Sequence, residues 1–200
     1  MSTIEEKQPW MRDDEIEVLE SLFQVINTRH VFEIGSGGSS IYFPNVLRET
    51  KPDQFKKWVA LESNQEWYDR VVRWAKEEDL DCLEVRMVDS YRSEIANMEG
   101  VTPKFDVFIV DSGNRQELLH TLNAKFEEAD WFVILHDSGR FQYRHAIDSF
   151  DHGKHLTIGN TPDKVGYKEN GLSLLWNGEV PDQIDEIKNS VGGFKQDVYR

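Results

Sequence analysis

Several strand-like segments of this chain end in residues suited to holding a ligand rather than filling a core. The first runs His30-Val-Phe-Glu-Ile34 into Gly35-Ser36-Gly37-Gly38-Ser39. Glycine lets such a backbone turn sharply and lets a ligand approach with no Cβ in the way. The helix that follows offers free N–H groups and the positive end of its dipole to a carboxylate or phosphate. A lone G-x-G is an ordinary turn, but Glu33 stands two residues before it in an otherwise apolar strand. A carboxylate is costly to bury there unless a cation or hydrogen-bond donor satisfies it, and the amino group of a bound amino-acid moiety is one such partner. Glu62 ends a second apolar run, where a carboxylate can accept both hydroxyls of a ribose or simply begin a helix. Asp89, with Ser90 after it, ends a third. It can accept from an exocyclic amino group, cap the next helix, or do both.

The fourth and fifth segments carry a different set. FIVD ends at Asp111, and VILHD ends at His136-Asp137. A histidine with an ordinary pKa near 6.5 can take a proton from a hydroxyl as a general base, or it can cap a strand end against a loop. Asp111 and Asp137 flank it as candidate catalytic acids. His145, His152 and His155 follow at a spacing unlike a zinc site, and they read as surface or lid residues.

Positioning these groups requires a regular scaffold. Ile16, Leu19, Leu22, Phe23 and Ile26 recur at helical spacing over 13–28, behind an Asp-Asp start. Strand, turn and helix then alternate: helices are expected over about 39–49, 65–79 and 115–128, and strands at 58–62, 83–88, 105–111 and 131–137. Near-continuous apolar strands between helices predict a parallel sheet covered on both faces. KHLTIGN and GLSLLWN lack a crossover helix between them and must pair antiparallel. The fold class expected is α/β, doubly wound, with a mostly parallel seven-stranded sheet ending in that hairpin. Ligands of such sheets sit outside the carboxyl ends of the strands, where the strand order reverses. Residues 1–180 read as a single domain and 181–200 as a tail with a short helix and a loose end. The six tryptophans are expected to pack core and helix faces.

Composition narrows the partners. Two hundred residues with 37 acidic and 23 basic side chains carry a formal charge of −14. That field repels phosphate backbones and anionic membrane surfaces, so neither nucleic acid nor membrane is expected as a partner. No apolar run approaches the roughly 20 residues of a membrane span. An acidic N-terminus without an apolar core and a single cysteine, Cys82, fit a reducing, cytoplasmic setting.

Taken together, Glu33-x-Gly35-x-Gly37 ending strand one, Glu62 ending strand two and Val88-Asp89-Ser90 ending strand three resemble the class I S-adenosylmethionine-dependent methyltransferases. The resemblance spans about residues 13–178, including the terminal hairpin. It implies that Glu33, Gly35, Ser36 and Gly37 hold the methionine portion, Glu62 the ribose, and Asp89 with Ser90 the adenine, with Asp111 completing the cofactor site. Trp67 either flanks the adenine or packs. The fourth and fifth strand ends are similar to those of the catechol and sugar O-methyltransferases, in which acids here can hold Mg²⁺. Asp111 and Asp137 are the implied ligands, although Ser138 stands where that pattern has an amide. A small-molecule hydroxyl acceptor is therefore expected, with a homodimer as one candidate association state. Two alternatives stand beside this: a non-catalytic domain that retains the fold, and a nicotinamide oxidoreductase. GSGGSS lacks the final glycine that the latter requires.

Overall fold

Four apolar runs, buried on both faces, and the alternating edge segment Leu83-Glu-Val-Arg-Met87 form the parallel part of one sheet. In the computed structural model, which describes residues 7–26, 28–97, 105–125, 131–138, 140–148, 154–158 and 171–177, these are β1 (His30–Ile34), β2 (Lys57–Glu62), β3 (Leu83–Met87), β4 (Val107–Val110) and β5 (Trp131–His136). The helices are α1 (Asp13–Val25), α2 (Ser39–Thr50), α3 (Gln65–Glu77), α4 (Tyr91–Asn97), α5 (Arg115–Lys125) and α6 (Phe141–Asp148). With β6 (Lys154–Ile158) and β7 (Leu172–Asn177), the seven-stranded sheet has the order β3-β2-β1-β4-β5-β7-β6. Parallel pairing gives way to antiparallel at β5–β7 and β7–β6. Among the described residues no helix is long and apolar enough to cross a membrane.

Strand alternation divides the core in two. Val31, Trp58, Ala60, Val107, Ile109 and Ile134 pack under Val18, Leu19, Leu22 and Phe23 of α1 and under Phe43 and Leu47 of α2. Phe32, Ile34, Leu61, Phe108, Val110 and Leu135 pack on the opposite face, under Ile95 of α4, Leu118, Leu119 and Leu122 of α5, and Tyr143 and Ala146 of α6. The chain winds outward from β1 to β3 and then returns to β4 on the other side of β1, so the order reverses between β1 and β4. The loops after these two strands flank the crevice where such sheets bind ligands.

Three features lie beyond the sequence reading. The expected hairpin pairs as foreseen, but β7 inserts between β5 and β6. Its run Leu172-Ser-Leu-Leu-Trp176 is buried throughout and suits an interior place, which leaves β6 at the edge. Two short helices, α4 and α6, fill connections whose helical periodicity is too brief to read. Four tryptophans, at 58, 74, 131 and 176, are buried as expected, but Trp10 is 79% exposed. His152 and the tail 181–200 lie outside the described residues. So do the side chains of β6, His155 included, while His145 is exposed on α6.

Candidate functional site

The turn after β1 is shaped by contact with β4. Gly35 adopts φ +96°, and a Cβ there would fall 2.2 Å from the carbonyl oxygen of Asp111, so only glycine fits. Its N–H donates to Leu61 O, and Asp111 N–H donates to Ile34 O, which binds the turn to both neighbouring strands. Gly37 faces open space: among the described residues nothing lies within 4 Å of where a Cβ would stand.

Glu33 does not line that space. Its carboxylate is fully buried and accepts hydrogen bonds from Ser39 Oγ (2.5 Å), Ser40 Oγ and Trp58 Nε1 (2.8 Å). The sequence expectation of a ligand amino group as its partner is therefore corrected: two α2 hydroxyls and a β2 indole satisfy it. Burial raises its pKa to about 7, against the lowering effect of these three donors.

Glu62 stands at the junction of three loops and is buried. One oxygen accepts from Ser36 N–H (3.2 Å) and Ser36 Oγ (2.8 Å). The other accepts from Ser63 N–H and Asn64 N–H at 2.8 Å each and from Tyr91 OH at 3.4 Å. It thus ties the β1–α2 turn at Ser36 to the loop after β2 and to Tyr91 of α4. Asp89 and Ser90 are exposed. Ser90 accepts from Ser93 N–H and caps α4, so the capping role weighed for Asp89 falls to its neighbour. Trp67 lies on α3 with Arg70 stacked over it at 4.5 Å and Trp10 edge-on at 5.4 Å.

At the ends of β4 and β5 the expected trio is brought together, with partners the sequence did not reveal. His136 Nδ1 lies 3.0 Å from Asp111 Oδ1, and Nε2 lies 3.6 Å from Glu15 Oε2 and 3.9 Å from Asp137 Oδ1. Arg115 reaches Asp111 at 2.5 Å and Asp137 at 3.4 Å, while Arg140 pairs with Asp137 at 2.9 Å. Glu15 arrives from the first turn of α1, fixed by a bond from Arg12 N–H at 3.0 Å. Its signal in the sequence was the acidic start of α1, which reads as ordinary capping.

Burial pushes the His136 pKa down, but Asp111, Glu15 and Asp137 outweigh it and lift it to about 10. Burial likewise works against ionised Asp111, whereas His136 and Arg115 together hold it below the usual carboxylate range. The three carboxylates thus favour the imidazolium form of His136 over the neutral one. This corrects the expectation of a neutral base titrating near 6.5.

Asp111 and Asp137, the implied Mg²⁺ ligands, face two guanidiniums and an imidazolium instead. Carboxylates so neutralised do not fit a divalent cation, and Ser138 adds only a buried neutral hydroxyl. Among the described residues, no group of three His, Cys, Asp or Glu side chains is arranged to hold a metal.

The segment before α1 crosses this region. A Cβ at Gly38 would meet Gln8 O at 1.9 Å, so the chain presses directly on the glycine turn. Lys7 pairs with Glu77 (3.1 Å) and Glu78 (2.5 Å) at the far end of α3.

No protein-family profile and no curated protein matches the sequence. Solved structures do match in fold. An O-methyltransferase from Bacillus cereus, in complex with S-adenosylhomocysteine, aligns with TM-score 0.64 at 16% identity, covering 84% of this chain and 82% of its own. The O-methyltransferase TomG from Streptomyces achromogenes, in complex with S-adenosylmethionine, gives 0.61 at 18% identity, covering 82% and 80%. Spermidine synthase from Thermotoga maritima gives 0.57 at 17% identity over 93% of this chain and 66% of that one. The chain has the doubly wound fold that these O-methyltransferases and spermidine synthase share.

Proposed function

We propose that this protein is an S-adenosylmethionine-dependent methyltransferase acting on a small-molecule acceptor, with a hydroxyl as the group methylated. The observation that carries this reading is the open turn at Ser36-Gly37, set at the point where strand order reverses. The O-methyltransferases of the same fold, whose structures hold S-adenosylmethionine or S-adenosylhomocysteine, support it. The residues present fit such a cofactor. Gly35, Ser36 and Gly37 would receive its amino-acid end, Glu62 its ribose, and the exposed Asp89 and Ser90 its adenine, with Asp111 beside the reacting end. When bound, the cofactor supplies an already activated methyl group, so the protein's part is chiefly alignment of the acceptor. Asp111 and Asp137 would orient that acceptor, and a carboxylate of this pair would take its hydroxyl proton as the methyl arrives and S-adenosylhomocysteine leaves. His136, being charged, holds a proton rather than takes one, and it keeps Asp111 fixed.

Thermal shift and calorimetry with S-adenosylmethionine, S-adenosylhomocysteine and NADH test this directly. A true cofactor at 100 times its dissociation constant adds about 2.7 kcal/mol of stability. The expected outcome is stabilisation by both adenosyl compounds and none by NADH. Binding of NADH alone would replace this reading with the oxidoreductase, and binding of none of the three would favour a domain that has kept only the fold.

A further inference from the structure

The buried Glu33 network reaches the open turn through one side chain. Ser40, in the first turn of α2 and fully buried, accepts a hydrogen bond from Gly37 N–H at 3.1 Å and donates its own proton to Glu33 Oε2. A hydroxyl has a single proton to give. With that proton committed to the carboxylate, the oxygen's lone pairs are left for Gly37, and the direction of the relay is fixed. Trp58 Nε1 donates to the same carboxylate oxygen, and Ser39 donates to the other, so the acceptor of the relay is itself held by α2 and β2. Gly37 has no side chain and, among the described residues, no neighbour on its open side, so none of these limits the orientation of its peptide there. We propose that Ser40 is a positioning residue of the cofactor site, a hydroxyl relay that ties the Gly37 peptide to buried Glu33 and presets the turn for the amino-acid end of the cofactor. The assignment of that end to the turn rests on the methyltransferase reading, whereas the relay does not.

Two measurements separate these claims. Amide hydrogen exchange of the ligand-free protein, read at Gly37 by NMR, reports the relay alone. Gly37 should be protected in the wild type. Ser40→Ala should speed its exchange about tenfold, the net worth of one hydrogen bond. Ser39→Ala, which removes a neighbouring hydroxyl that does not touch Gly37, should leave it unchanged. Calorimetry with S-adenosylhomocysteine and adenosine then tests the placement. Ser40→Ala should weaken S-adenosylhomocysteine about tenfold and leave adenosine within about twofold, because adenosine lacks the part the turn receives. A wild-type Gly37 amide exchanging without protection overturns the proposal with no variant needed. So does equal acceleration by both serine variants, or an equal loss of affinity for both ligands. If Gly37 behaves as expected and the wild type binds neither compound, the relay stands and the cofactor reading fails.

Discussion

At the scale of single residues, the sealed carboxyl of Glu33 makes folding depend on pH. Its pKa is about 7 in the folded chain against 4.5 for the free group, so the native state binds the proton more tightly. Stability from this group is complete below about pH 4.5 and is lost as pH rises through 7. The shift corresponds to about 3 kcal/mol. Urea denaturation at pH 5 and pH 8 should show the wild type losing stability across that interval relative to Glu33→Gln, which cannot ionise. Parallel pH profiles for the two proteins would show that Glu33 titrates normally. Asp111 presents the opposite case, a carboxylate whose charge is required. In Asp111→Asn, His136 and Arg115 lose their shared counter-charge at a position where both are buried. The expected loss is about 3 kcal/mol, the low end for a buried pair robbed of one partner, with S-adenosylhomocysteine affinity held within a few-fold. An Asp111→Asn protein as stable as the wild type would mean that the cluster is solvated and carries no such coupling.

Among the elements, the turn between β1 and α2 carries two glycines with different duties. Gly35 has a left-handed backbone and a Cβ position 2.2 Å from Asp111 O. Gly35→Ala should therefore cost at least about 2 kcal/mol, from the left-handed strain plus the shift forced on β4. Gly37→Ala meets no atom in the free protein and should leave stability within about 0.5 kcal/mol. If the open space beside Gly37 is where the ligand lies, the same methyl should cut S-adenosylhomocysteine affinity at least tenfold. Denaturation and calorimetry on the two variants read these effects separately. A Gly37→Ala protein that binds like the wild type would place the ligand elsewhere along the strand ends.

For the molecule as a whole, an excess of fourteen negative charges makes the folded state repel itself. Salt screens that repulsion over about 10 Å at 0.1 M, and the exposed ion pairs that it also weakens are worth little each. The melting temperature should rise on going from about 10 mM to 150 mM NaCl. A fall in differential scanning fluorimetry would show that local pairs such as Lys7–Glu78 and Arg92–Glu117 outweigh the net charge.

What the sequence determined by itself was the alternation of elements and the rank of strand ends that face one edge of the sheet. Hydrophobic period and glycine turns are local properties, and they were enough to place Gly35, Gly37, Glu62, Asp111, His136 and Asp137 along that edge. What those side chains face is not local. Glu33 and Glu62 look alike in sequence, each a carboxylate within the last two residues of an apolar strand. Packing buries the first under two serines and an indole, and it wires the second into three loops. The ionisation of His136 was equally out of reach, because Glu15 comes from a helix far away in the chain and Arg115 from another. Protonation and metal affinity are set by the sum of charges within a few ångströms, and only the tertiary structure decides which charges those are.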